Sequence, residues 1–202
     1  MYSEILELIE LGKEFQRRNW VPATSGNLSA KLDEKTICIT ASGAHKGYLT
    51  KDDFILIDID GNLIEGSKKP SAETLLHLTI YKALPEVRSV LHVHSPNSTV
   101  ISILKKNKEI RLEGYEILKA FAGINTHETS IEVPIFENSQ DMNELSETVK
   151  DYLTKKKTYG FLLKAHGIYT WGKSIREAAI NLEAFDFLFD CELKLQKGGL
   201  QA

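Results

Sequence analysis

The run "SVLHVHSPNST" places His92 and His94 one residue apart in a stretch of β-branched and aliphatic residues. On a strand, alternate side chains share a face, so the two imidazoles point one way while Leu91 and Val93 point the other. Two imidazoles one pleat apart can share one metal ion, or can be two ordinary half-buried histidines. A third histidine, His166, ends the apolar run "FLLKA" and precedes Gly167, a residue that permits a sharp turn or a close backbone approach. Three neutral imidazoles on Zn²⁺ leave room for water or substrate, the arrangement of catalytic zinc. The other histidines are weaker candidates: His77 lies inside a helical stretch and fits packing, His45 lies in a loop where it could help hold a substrate anion, and His127 fits a surface or rim position.

Two short loops, "ATSGNLSA" (23–30) and "TASGAHKG" (40–47), and the helix start "KPSAET" are rich in Ser, Thr, Gly and Asn. Such segments offer backbone N–H groups and small hydroxyls to a phosphate, and they are also ordinary turn chemistry. Lys46 is either an added positive charge for that anion or a solvated surface lysine. Neither loop has the spacing of a nucleotide-binding P-loop. Moving a carbon-bound proton needs a base, and two carboxylates are candidates. Glu73 follows Ser71 in the first turn of a helix, where it also complements the helix dipole. Glu116 sits among Tyr115, Ile117 and Leu118, and partly apolar surroundings raise a carboxyl pKa.

These residues need a scaffold. Periodicity predicts a helix over 3–19 with Ile5, Leu8, Ile9 and Phe15 on one face. "TICIT" and "FILIDID" read as strands, the second turning back at Asp60-Gly61-Asn62. A helix follows from Pro70-Ser71 to about Leu84, and then the histidine strand. Ser95-Pro96 caps a helix over 96–106. A short helix is expected over 114–121, a strand at "IEVPIF", a helix over 139–157 and a strand at "GFLLKA". The last helix opens with the capping box Ser174/Glu177 and runs to Gly198-Gly199. Without a steady βαβ rhythm, the fold class expected is α/β, a single domain over 1–202 with a central, mainly antiparallel sheet flanked by helices.

The 202 residues carry a net charge of −3, which disfavours nucleic acid as the main partner. No apolar run approaches the roughly 18 residues of a membrane span. The acidic, amphipathic N-terminus is unlike a signal peptide, so a cytoplasmic location is expected. Cys38 and Cys191 lie outside any C-x-x-C pair and read as reduced core thiols.

Taken in order, "ATSGNLS", "ITASGAHKGYLT", "PSAETLLH", "VLHVHSPNST", "GYEILKAFAGI", "PIFENSQD" and "FLLKAHGIYTWG" resemble the class II aldolase/adducin-head family of zinc enzymes, from about residue 4 to residue 195. The resemblance implies one Zn²⁺ per subunit on His92, His94 and His166. It implies phosphate contacts from Asn27, Ser42, Gly43 and Ser71, with Ser25, Gly26 and Lys46 beside them, and hence a small sugar-phosphate substrate. Ala72 stands where aldolases of the family often have a second serine. The family's aldolases use the acid matching Glu73 as base, and its dehydratases use the glutamate matching Glu116. With both present, Glu116 is the expected proton carrier and Glu73 a second carboxylate at the site. Members are usually homotetramers with active sites near subunit boundaries. A sugar-phosphate aldolase and a non-catalytic adducin-like module are the rival readings. The first is weakened because no tyrosine follows Tyr169, the second because the histidine set is intact.

Overall fold

The computed structural model describes residues 2–198. Nine strands form one sheet: β1 (Asn27–Lys31), β2 (Ile37–Thr40), β3 (Phe54–Ile57), β4 (Leu63–Glu65), β5 (Ser89–Val93), β6 (Glu109–Glu113), β7 (Ser130–Phe136), β8 (Gly160–Leu163) and β9 (Gly167–Gly172). Their order across the sheet is β4-β3-β2-β1-β5-β9-β8-β7-β6, and only the β7–β8 pair is parallel. The expected mainly antiparallel sheet is therefore present as a mixed one. The helices are α1 (Ser3–Arg17), α2 (Thr74–Ala83), α3 (Pro96–Leu104), α4 (Met142–Lys155) and α5 (Ile175–Lys197).

The sheet separates two apolar cores. Leu28, Leu91, Val93 and Ile168 pack with Leu8 and Phe15 of α1, Ile101 of α3 and Phe185 and Phe189 of α5. On the other face Ile39, Val90, Tyr169 and Trp171 pack with Leu76 and Ile80 of α2 and Val149 of α4. Strand β5 lies between both cores, which explains why its five residues are all buried. The period of two sends Leu91 and Val93 to the α1/α5 side and Val90 and His92 to the α2/α4 side.

Local signals set several boundaries. Ser95 Oγ accepts the Ser98 N–H at 3.2 Å with Pro96 at the first helical position, so α3 begins directly after the histidine strand. Ser174 Oγ accepts the Glu177 N–H at 3.1 Å, and Glu177 reaches back to the Lys173 N–H at 3.2 Å. Gly198 caps α5, and Gly199 lies outside the described residues. Other expectations are corrected. The stretch after Asn27 is strand β1 and not loop, because it pairs with both β2 and β5. The second helix starts at Thr74, since residues 70–73 form a turn closed by the Thr74 N–H on the Ser71 carbonyl at 3.1 Å. The segment 114–121 supplies only a 3₁₀ turn, Glu116–Ala120. Cys38 is buried as expected, but Cys191 is only half-buried. Among the described residues no helix is long and apolar enough to cross a membrane.

His166 ends the tight connection from β8 to β9, and Gly167 follows it against β5. A Cβ at Gly167 would run into the Val93 carbonyl and lie 3.1 Å from His94 Cα, all backbone that cannot rotate aside. Gly167→Ala must push β5 and β9 apart. It is expected to lower stability by about 1–3 kcal/mol, the usual cost of overpacking. A denaturant midpoint equal to that of the unaltered protein would contradict this packing.

Candidate metal centre and anion pocket

The end of β5, the β8–β9 turn and the approach to α2 bring four side chains to one point. His92 Nε2 lies 2.8 Å from His94 Nε2 and 3.3 Å from His166 Nε2, and His94 Nε2 lies 2.8 Å from His166 Nε2. Glu73 Oε1 lies 3.0 Å from His166 Nε2 and 3.6 Å from His92 Nε2. Glu73 occupies the N-cap position of α2, but its carboxylate does not cap the helix and turns to the histidines instead.

The chemistry of this set calls for a cation. His92 donates its Nδ1 proton to the Ile168 carbonyl at 2.9 Å, and His166 donates its own to Asn138 Oδ1 at 3.2 Å. As neutral rings, both then present bare Nε2 lone pairs to the centre. Burial above all pushes the His94 pKa down to about 3, so this ring is neutral at ordinary pH. Burial pushes the Glu73 pKa up, but the facing His92 and His166 rings, when protonated, outweigh this by charge and hydrogen bonding and hold it below the usual carboxylate value. Facing lone pairs and a carboxylate oxygen repel unless a positive ion lies among them. Bonds of about 2.0–2.1 Å to one tetrahedral ion hold ligand nitrogens a little over 3 Å apart, close to the spacing present. The residues therefore fit Zn²⁺, with the Ile168 carbonyl and Asn138 orienting two ligands from behind. The ring of His92 is further held by stacking on buried Tyr169, centroid to centroid 3.9 Å.

Beside the histidines lies a pocket of about 320 Å³. Its lining gathers Ser25, Gly26 and Asn27 from the first loop, Ser42, Gly43 and Lys46 from the second, Ser71 from the third, and Glu73 and His94 from the metal centre. All seven expected phosphate residues thus share one pocket. Thr40 Oγ1 donates to Asn27 Oδ1 at 2.7 Å, which leaves the amide NH₂ as the donating end. Ser25 Oγ is buried without a hydrogen-bond partner among the described residues. Gly26 has φ +80°, and a Cβ there would lie 2.7 Å from the His92 carbonyl oxygen, so only glycine brings this loop against the histidine strand.

Lys46 is not the solvated lysine that was one of the two expectations. It is buried, and its Nζ donates to the Thr24 carbonyl at 2.9 Å and the Ala44 carbonyl at 2.7 Å, tying the two loops together. Burial lowers its pKa to about 8. A desolvated ammonium with two neutral partners is a strong attractor for an anion.

The remaining histidines divide clearly. His77 is fully buried in α2, bonded through Nδ1 to Ser29 Oγ at 2.8 Å, a packing residue as expected. His45 packs at a tilt against exposed Tyr48 and does not line the pocket, so it does not help hold an anion there. His127 lies 3.5 Å from Glu116. Glu116 departs from expectation in its surroundings. It is exposed, its Oε1 accepts from Lys119 Nζ at 2.6 Å, and it belongs to neither the ligand cluster nor the pocket lining. The Lys119 ammonium holds its pKa below the usual carboxylate value, not above it. The neighbouring Ile117 and Leu118 turn to the core and leave the acid outside. Asn138 and Thr40, which orient a ligand and a pocket amide, carry no spacing signal in the sequence.

Since Lys46 is charged below about pH 8 and neutral above it, its help to an anion is lost as pH rises through that value. Lys46→Met is expected to weaken inorganic phosphate binding about 10- to 100-fold at pH 7. The gap between the two proteins should close toward pH 9.5, as read by calorimetric titration. Equal affinity at pH 7 would remove Lys46 from the anion site.

Comparison with known proteins places this geometry in a family. Residues 6–193 match the model of the class II aldolase and adducin N-terminal domain. The methylthioribulose-1-phosphate dehydratase of Stenotrophomonas maltophilia (strain K279a) is 48% identical over 191 residues, covering 94% of this chain and 90% of the relative. The enzyme of that name from Pseudomonas aeruginosa PAO1 is 47% identical over 190 residues, covering 94% and 93%. Among solved structures, YgbL of Escherichia coli superposes with a TM-score of 0.83 at 25% identity, covering 96% of this chain and 90% of its own. An L-fuculose 1-phosphate aldolase superposes with a TM-score of 0.82 at 23% identity, covering 98% and 89%. With nearly the whole of its length matched, the chain belongs to the class II aldolase and adducin N-terminal domain family.

Proposed function

We propose that the chain, acting over 1–202 as one such domain, is a zinc-dependent hydro-lyase of methionine salvage. It converts 5-methylthioribulose 1-phosphate to 2,3-diketo-5-methylthiopentyl 1-phosphate in the cytoplasm. The observation that carries this reading is the 48% identity to a dehydratase across 94% of the chain, twice the identity to an aldolase of the same fold. The intact His92, His94 and His166 set counts against a non-catalytic module. The tyrosines count against an aldolase: Tyr169 is fully buried against His92, and the Tyr115 hydroxyl is engaged by Glu192 at 2.9 Å.

The phosphate sits in the pocket of Ser25, Gly26, Asn27, Ser42, Gly43 and Ser71, with the Lys46 ammonium offsetting its charge. Because His94 and Glu73 line the same pocket, a phosphate held there directs the C2–C3 end of the ketose to the histidines. His92, His94 and His166 hold the ion, with Glu73 completing the donor set before substrate arrives. A zinc ion bound there supplies Lewis-acid polarisation of the C2 carbonyl and makes the C3 proton more acidic. Glu116 takes that proton, giving an enediolate, and then returns a proton to the C4 hydroxyl as it leaves as water. The enol ketonises to the 2,3-diketone.

Within one chain Glu116 is exposed and away from the ligand cluster, so the reading includes a homotetramer in which Glu116 of a neighbouring copy closes each site. Val100, Ile103 and Leu104 of α3 and Phe187 of α5 stay exposed on the single chain, which supports burial against another copy. Glu116→Gln is expected to keep one zinc per subunit and lose turnover by at least about 100-fold, the scale of general acid–base catalysis. Zinc content by mass spectrometry and a product assay check both halves. Full activity in that variant would overturn the role of Glu116.

A further inference from the structure

Helix α5 carries a carboxylate that the reaction does not use. Glu192 is 5% exposed, yet it is ionisable and lies on the inner face of a helix otherwise packed with Phe185, Leu188, Phe189 and Leu193. Its two oxygens are divided between two elements. Oε2 accepts from Lys105 Nζ at 3.1 Å, and Oε1 accepts from the Tyr115 hydroxyl at 2.9 Å. Lys105 is the residue that ends α3, the helix launched directly from the metal-binding strand. Tyr115 is the residue that starts the 3₁₀ turn Glu116–Ala120.

The first residue of the turn is held by the Tyr115 ring packing on the core and, just before it, by the Gly114 N–H on the Thr129 carbonyl at 3.2 Å, but neither fixes its direction as a side-chain hydrogen bond does. The Tyr115 carbonyl accepts the Leu118 N–H at 3.1 Å, and Leu118 is fully buried, so the far side of the turn is anchored in the core. Gly114, with φ +76°, precedes Tyr115 and allows the backbone to pivot there. Glu116 follows immediately, with its side chain outside. The tyrosyl hydroxyl thus adds a directional tether on the near side of the turn. Burying an ion pair here brings no clear gain in stability, because an apolar set of the same volume is often as stable or more so. What the carboxylate supplies is a fixed direction for two donors.

We propose that Glu192 is a positioning residue: by holding the Tyr115 hydroxyl to Lys105 at the end of α3, it fixes where Glu116 stands on the surface it offers to the neighbouring copy's site. The inference rests on Glu116 being the proton carrier. Misplacing a catalytic group by about 1 Å costs on the order of 100-fold in rate while leaving ligand binding in place. A hydroxyl-to-carboxylate tether is of the size to do that.

The test uses the full-length, zinc-loaded protein with 5-methylthioribulose 1-phosphate. Tyr115→Phe removes only the hydroxyl and keeps the ring in its packing. It should fold, bind one zinc per subunit and keep KM within about twofold, while kcat falls about 10- to 100-fold. Glu192→Gln keeps an oxygen that accepts from the tyrosine, so its kcat should lie nearer the unaltered protein than that of Tyr115→Phe. The double variant should be no slower than Tyr115→Phe alone, because without the hydroxyl residue 192 has no tether to Tyr115 left to hold. An unchanged kcat in Tyr115→Phe, with Glu116→Gln inactive, would overturn the inference and leave the proposed reaction standing. Full activity in Glu116→Gln would remove both. A fall in the alkaline limb of the kcat profile in Glu192→Gln would make Tyr115 itself the titrating group, and would also overturn the positioning role.

Discussion

Three imidazole nitrogens and a carboxylate oxygen aimed at one point make an arrangement compatible with a metal ion at that point. His92 and His166 spend their outer protons on the Ile168 carbonyl and Asn138, so as neutral rings both present Nε2 to the centre as an acceptor. The rest of the architecture serves this convergence. Strand β5 must end at Val93, so that His94 bends back to join His92. The β8–β9 turn must be tight, and Gly167 must stay bare, so that His166 reaches the same point across β5. Buried walls on both faces of the sheet hold these backbone positions rigid, which is what a preorganised ligand set requires.

The anion pocket obeys the opposite electrostatic logic. There a buried ammonium, an amide and a hydroxyl without a partner wait for negative charge, while the adjoining centre collects negative and neutral donors for a positive ion. The two meet at His94 and Glu73, and the proposed substrate, with a phosphate at one end and adjacent oxygens at the other, is matched to both. That pairing is also selective. A ligand with the phosphate alone leaves the metal end unused, and binding energy from the remote phosphate is available to orient the reacting carbons.

Much of this was legible in the sequence, and the parts that were share a local cause. The period of two in "LHVH" places His92 and His94 on one face without reference to the rest of the fold, and Ser95-Pro96 ends the strand by capping chemistry alone. The three Ser/Gly loops were visible as loops, although nothing local shows that they converge. Non-local pairing was harder. "NLSAK" reads as a loop because Asn27 and Ser29 interrupt its apolar pattern, yet it is an inner strand, and those polar side chains are satisfied by Thr40 and by His77 and Tyr81. Strand β9 was hidden for the same reason, a Gly-bounded run whose role depends on β5 and β8 on either side. Lys46 could be read as solvated because burial of an ammonium depends on carbonyls from two separate loops. Glu116 was expected in apolar surroundings because its sequence neighbours are apolar, but a 3₁₀ turn sends neighbours to different sides.

The central claim is the bond that breaks, and the most direct measurement is the mass of the product. Purified, zinc-loaded protein is given 5-methylthioribulose 1-phosphate, and the reaction is followed by mass spectrometry. The account predicts a phosphate ester lighter than the substrate by one water. Dihydroxyacetone phosphate together with a methylthio-aldehyde would mean cleavage between C3 and C4, and would contradict it.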